Sequence, residues 1–151
     1  MKSLLIVYHS QSGSSARLAR AAWQGARTES ALKVLVRRVW DAGLAELEQA
    51  DGLLLVMAEN SGAISGGMKD FLDRTFYPAI DQGLVLPYAL LVSAGNDGRG
   101  AVRDVERICR GYPLRKVAEA VIVRGDITDQ QLQRAEELGG ALASGVELGI
   151  F

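Results

Sequence analysis

Cysteine is nearly absent from this chain of 151 residues: there is one, Cys109. That excludes an intramolecular disulfide and a cysteine-built zinc cluster, and it suits a reducing cytoplasm. Long apolar runs are missing too. The first run, Leu4–Tyr8, is too short for a membrane span or the core of a signal peptide. Charge of one sign is also lacking. The net charge is −1, so the total gives no electrostatic reason to expect nucleic acid or an anionic membrane as partner. No linker, low-complexity tract or internal repeat interrupts the sequence, and the expectation is one domain over residues 1–151. What remains is an ordinary globular composition, 48% hydrophobic and 23% charged, long enough to bury a sizeable core.

Short apolar runs alternate with longer amphipathic segments. Leu4–Tyr8, Leu53–Ala58 and Tyr88–Ala94 are almost continuously apolar, as strands buried on both faces must be. Leu32–Val39 and Val117–Arg124 interleave Lys33, Arg37, Arg38 and Glu119 with aliphatic residues, which suits wetter edge strands. Between them, Met68, Phe71, Leu72, Phe76, Ala79 and Ile80 form one helical stripe opposite Lys69, Asp70, Asp73 and Arg74. Val102, Val105, Ile108 and Cys109 form another. A short helix is expected between Asp41 and Ala50, and Thr128-x-x-Gln131 marks the start of the last helix. Gly139-Gly140 inside that helix predicts close packing or early fraying, since each glycine costs about 1 kcal/mol against alanine. Five strand–helix alternations predict a doubly wound α/β sheet of order 2-1-3-4-5, with ligands bound where the loops after the strand C-termini cluster.

The first of those loops reads His9-Ser10-Gln11-Ser12-Gly13-Ser14-Ser15. Hydroxyls and a glycine at a helix start can cradle a phosphate, because free amides and the helix dipole attract an anion. Serine-rich turns also serve simply to cap helices. A P-loop would need Gly-x-x-x-x-Gly-Lys and a dinucleotide fold Gly-x-Gly-x-x-Gly; neither is present. The second loop, Glu59-Asn60-Ser61-Gly62-Ala63-Ile64-Ser65-Gly66-Gly67, leads into Met68-Lys69-Asp70-Phe71-Leu72-Asp73-Arg74. The third, Ser93-Ala94-Gly95-Asn96-Asp97-Gly98-Arg99-Gly100, follows the fourth expected strand.

The first loop resembles the phosphate-loop signature of flavodoxins and flavodoxin-like reductases, with Ser12 where threonine is usual. The second is similar to the Ser-Gly-x-Met-Lys-x-Phe-Leu-Asp-Arg segment of multimeric flavodoxins and NAD(P)H-dependent FMN reductases. The resemblance implies a flavodoxin-like three-layer α/β/α sandwich with a five-stranded parallel sheet and bound flavin mononucleotide (FMN). It implies that Ser10, Ser12, Gly13, Ser14 and Ser15 wrap the FMN phosphate, with Gln11 contributing its backbone. Glu59, Asn60, Ser61, Gly62 and Ala63 would lie against the isoalloxazine ring, and Gly95, Asn96 and Gly98 would pass under its pyrimidine end. The chain departs from the reductases in having Glu59-Asn60 where a proline and an aromatic are usual. No Trp or Tyr lies between Leu53 and Phe71, which leaves one ring face open to a substrate. Glu59 is either a neighbour of the flavin or a solvent-facing carboxylate.

Other residues carry less. His9 is placed to touch phosphate or flavin. Cys109 shares a stripe with core valines and reads as a buried, inert thiol. Arg99, Arg103, Arg107 and Arg110 line a helical flank, either solvated or facing a 2′-phosphate or an acidic partner. Trp23 and Trp40 read as packing residues, with a subunit interface as the other role for Trp40. A response regulator needs acidic residues after the first strand and a phosphoacceptor aspartate after the third, and His9-Ser10 and Glu59-Asn60 do not provide them; a low-molecular-weight tyrosine phosphatase is excluded because no cysteine lies in the first loop. The leading expectation is a cytoplasmic oxidoreductase in which NAD(P)H reduces bound FMN and a quinone, flavin or other small acceptor is reduced in turn. The alternatives are an electron-carrier flavodoxin that docks to redox partner proteins and a module that no longer binds flavin. Self-association into a homo-oligomer is compatible with all three.

Overall fold

Strands buried on both faces need continuous apolar sequence, and the middle of the sheet has it. The computed structural model describes residues 1–29 and 31–151. The strands are β1 (Ser3–Tyr8), β2 (Lys33–Arg38), β3 (Gly52–Asn60), β4 (Ala63–Ile64), β5 (Leu86–Ala94), β6 (Leu114–Lys116) and β7 (Val121–Arg124). The order across the sheet is β2-β1-β3-β5, with β6 and β7 both pairing parallel to β5 at the far edge. Counted by sheet position, this is the 2-1-3-4-5 order expected from the sequence.

Two details differ from expectation. The fifth position is not one strand over Val117–Arg124. Tyr88 pairs with Lys116 and Leu91 with Val121, so β5 advances three residues while its neighbour advances five. Two residues are therefore extra, and the chain bulges between Val117 and Ala120. Glu119 on this bulge is 95% exposed. The second difference is β4, which folds back antiparallel on the end of β3.

Alternation along the strands builds two cores. Leu4, Ile6, Leu54, Val56, Ala89 and Leu91 face α1 (Ser14–Ala26) and α5 (Asp129–Leu148). Leu5, Val7, Leu53, Leu55, Leu90 and Val92 face α2 (Leu44–Glu48), α3 (Gly66–Asp81) and α4 (Arg99–Gly111). This is a three-layer α/β/α arrangement. On the polar side of α3 two i,i+4 ion pairs form, Lys69–Asp73 at 2.8 Å and Arg74–Asp70 at 2.8 Å.

Gly139 explains the awkward glycine pair in α5. A Cβ there would overlap the carbonyl oxygen of Ala22, and one at Gly25 would overlap that of Glu136. The two helices thus meet backbone to backbone, and α5 runs unbroken through Gly139-Gly140. Thr128 caps α5 by accepting from the Gln131 amide at 3.3 Å. The reciprocal half of the capping box is not made, because the buried Gln131 Oε1 has no partner among the described residues.

Candidate functional site

At the C-terminal edge of the sheet, β1 runs through His9–Gly13 into α1. Gly13 holds φ 103°, the left-handed region that a side chain rarely adopts, and enters the helix with no side-chain cap. The Gly13 amide donates to Ser10 Oγ at 3.1 Å, which leaves the Ser10 hydroxyl proton free to donate outward. Gln11 and Ser12 are exposed, and Ser14 is half-buried. Among the described residues the amides of Gln11, Ser12, Ser14, Ser15 and Ala16 find no acceptor, as helix starts without a cap require. Ser15 is different: it is buried, with Oγ 3.0 Å from Ser93 Oγ on β5. It props the loop from beneath.

The second loop is a β-hairpin. Glu59 pairs with Ile64 and Asn60 with Ala63, leaving Ser61 and Gly62 as a two-residue turn. Their φ values, 51° and 76°, are both positive, the signature of a type I′ turn matched to strand twist. Asn60 Nδ2 donates to Gln11 Oε1 at 3.0 Å and ties the hairpin to the first loop.

Glu59 neither faces solvent freely nor stands open to a ligand. Its Oε1 accepts from Gly98 N at 3.0 Å, and its Oε2 accepts from Gly100 N at 2.9 Å and Ala101 N at 3.3 Å. These amides open α4, whose N-cap Gly98 has no side chain to offer. Glu59 therefore caps a helix about forty residues away in sequence, where its negative charge meets the positive end of the dipole. Asp104 returns the contact, its Oδ2 accepting from Ile64 N at 3.0 Å. A Cβ on Gly100 would overlap the Gly62 carbonyl oxygen, so the hairpin turn sits directly on the start of α4.

The third loop leaves Gly95, Asn96 and Asp97 exposed and Gly98 buried. Arg124 Nε donates to the Asp97 carbonyl at 2.8 Å, and Arg99 pairs with the Asp97 carboxylate at 2.6 Å. That guanidinium holds the Asp97 carboxyl below its ordinary range. His9 lies on the other side of the first loop. Its Nδ1 is 2.9 Å from Ser65 Oγ, its ring meets Trp40 edge-on at 5.7 Å, and burial lowers its pKa. Trp40 is 57% exposed, so it is not the packing residue expected. It sits in a turn pinned by Arg74, which donates to the Val39 and Ala42 carbonyls. Cys109 is buried, and burial pushes its thiol up to about 12, as expected of an inert cysteine.

The structure thus brings Ser10, Gln11, Ser12, Gly13 and Ser14 into one open donor set and bridges it to Asn60. It places Ser61, Gly62 and Ala63 in the neighbouring hairpin, with Gly95 and Asn96 in the third loop. Ser15, Glu59 and Gly98 act from behind as supports. Sequence reasoning missed Ser65, Ser93 and Asp104. It also missed the cap made by Glu59, for which the one available signal is a helix opening on Gly98-Arg99-Gly100 without a capping side chain of its own.

Comparison with known proteins places this geometry. The profile of the NADPH-dependent FMN reductase family matches residues 36–112, a span holding the hairpin and the third loop but not the first. No match is found among curated proteins. Among solved structures, a flavodoxin from the domain Archaea superposes with a TM-score of 0.84 at 22% identity, covering 96% of this chain and 99% of that one. A WrbA-like flavodoxin protein from Agrobacterium tumefaciens gives 0.83 at 17% identity, covering 98% and 99%. The flavodiiron protein from Giardia intestinalis gives 0.82 at 15%, covering 98% of this chain and 37% of its own. These likenesses establish a flavodoxin-like fold, and with a profile spanning half its length the chain belongs to the NADPH-dependent FMN reductase family.

Proposed function

We propose that residues 1–151 form one FMN-binding domain that acts as an NAD(P)H-dependent oxidoreductase, delivering electrons to a quinone, flavin or other small acceptor. The observation that carries the reading is the set of unpaired donors at the start of α1. Amides of Gln11, Ser12, Ser14, Ser15 and Ala16, with the Ser10, Ser12 and Ser14 hydroxyls around them, suit the oxygens of a monophosphate ester. The neighbouring carboxylate is accommodated as well: Glu59 is held by three amides at the start of α4, where the positive end of the helix dipole offsets its charge.

The residues on either side would hold the ring. Asn60, Ser61, Gly62 and Ala63 present small side chains and backbone on one side, and the exposed Gly95 and Asn96 offer hydrogen bonds at the other. The hairpin carries no aromatic, which leaves a face for the nicotinamide and the acceptor. Bound FMN supplies hydride acceptance from NAD(P)H and electron delivery onward. The part of the chain is to fix the phosphate, orient the ring through a hairpin locked to α4, and keep one face accessible.

Anaerobic mixing of FMN-loaded protein with NADPH, and separately with NADH, tests this. Rapid bleaching of the flavin absorbance by either is the expected result. A flavin that stays oxidised with both, yet is reduced by a ferredoxin reductase, would make the protein a carrier. Failure to bind FMN at all would remove the reading.

A further inference from the structure

The small net charge conceals a segregation. Residues 1–40 carry seven Lys and Arg against a single acid, Glu29, while the rest of the chain carries ten against seventeen. Those forty residues build β1, α1 and β2, which is one edge of the sheet. Between α1 and β2 runs an open groove of about 620 Å³. Its apolar floor is Tyr8, Trp23, Val34 and Val36, half-buried side chains packed on the core beneath α1. Its rim carries Arg17, Arg20 and Arg37. Among the described residues none of these three arginines forms an ion pair.

Among the described residues the outer edge of β2 has no strand partner, and its backbone groups turn outward in a regular pattern. Lys33 N donates to Lys2 O at 3.0 Å, and the strand register pairs Lys33 with Ser3 and Leu35 with Leu5. Peptide groups alternate sides along a strand, so Leu35 and Arg37 turn toward β1 while Val34 and Val36 turn their amides and carbonyls to the open edge. There the Arg37 guanidinium lies across the strand, its Nη1 donating to Val36 O at 2.9 Å.

We propose that this groove docks an extended, acidic segment of a partner protein, which adds to β2 as a further strand. Three features converge on that occupant. Backbone donors and acceptors turned outward at every second residue match those of another peptide strand. Side chains alternating along such a segment would place apolar groups on Tyr8, Trp23, Val34 and Val36. Carboxylates at its flanks would meet Arg17 and Arg20, and one would draw Arg37 off the Val36 carbonyl, freeing that acceptor for the incoming amide. Basic residues on an edge strand also discourage unwanted pairing. That accounts for Lys33, Arg37 and Arg38, but not for Arg17 and Arg20 on the opposite wall.

The test uses the full-length protein and a labelled peptide of about seven residues alternating glutamate and valine, read by fluorescence anisotropy and residue-resolved amide exchange. Binding should weaken about tenfold or more between about 20 and about 200 mM salt. Exchange at Val34 and Val36 should slow about tenfold or more on binding, with none at Leu35, whose amide is already paired. Arg20→Glu/Arg37→Glu, with an unchanged melting curve, should lose about tenfold or more in affinity. Arg17→Glu/Arg20→Glu, which leaves the strand intact, should do the same. Equal binding of a charge-matched peptide with proline at alternate positions, or binding without protection of Val34 and Val36, would overturn the proposal. So would protection of those amides by self-association at high protein concentration without peptide, since the occupant would then be a second copy.

Discussion

Two helices at the ligand edge begin alike and end up differently. Both α1 and α4 are entered through a left-handed glycine, Gly13 at φ 103° and Gly98 at φ 85°, and neither has a side-chain cap of its own. The amides of α4 are taken by the Glu59 carboxylate from the neighbouring hairpin. Those of α1 find no acceptor among the described residues and lie among hydroxyls. One helix start is filled by an internal anion and the other is left open, and the proposed function puts an external anion at the open one. The filled end also has a mechanical role, because it locks the hairpin and the third loop into one body beside the open end.

Removing the internal anion is the strongest way to break this contrast. Glu59→Ala leaves three amides without their charged acceptor and should cost about 3 kcal/mol, which lowers the melting temperature by about 6–12 °C in a chain of this size. Added sulfate should restore part of that loss by occupying the vacated α4 start, with melting curves as the readout. If sulfate restores nothing, the carboxylate was not standing in for an anion.

Ser12→Ala/Ser14→Ala acts on the open end. Two charge-assisted hydrogen bonds to phosphate are lost, so FMN affinity should drop about 100-fold. The melting temperature of the flavin-free protein should move by no more than about 1 °C. Quenching of flavin fluorescence measures the first and a thermal melt the second. A pronounced loss of stability would mean that these hydroxyls hold the fold and not a ligand.

Acid should loosen the open end as well. The imidazole of the unfolded chain takes a proton near 6.5, while half-buried His9 takes one only at lower pH. The unfolded state therefore binds more protons just below pH 6.5, and stability falls as the pH drops through that window. His9→Gln should flatten this part of the pH–stability curve, as measured by urea unfolding at a series of pH values. The smallest effect belongs to Asn60→Ala. It removes an exposed neutral hydrogen bond between the hairpin and Gln11 and should weaken FMN binding no more than about threefold.

Much of this was legible in the sequence because it is written locally. Continuous apolar runs marked β1, β3 and β5, and the hydroxyl–glycine pattern at Ser10–Ser15 marked a loop of open donors at a helix start, since each depends on residues next to one another. The cap by Glu59 was not legible, because its partners are amides some forty residues on and backbone donors have no sequence signature. The hairpin left a faint sign, Ser61-Gly62 between short extended pairs, which reads equally well as a loop. No glycine or proline marks the bulge between Val117 and Ala120, and register shifts between strands are set by the partner. The segregation of charge is invisible in the total, because the basic first forty residues and the acidic remainder nearly cancel.

Affinity for FMN set against affinity for riboflavin, by titration calorimetry on the flavin-free protein, tests the central claim most directly. The two ligands share the ring and differ in the phosphate. An anion site at the start of α1 predicts that riboflavin binds at least about 100-fold more weakly than FMN. Equal affinities would contradict it, because the open amides and hydroxyls would then contribute nothing to holding the flavin.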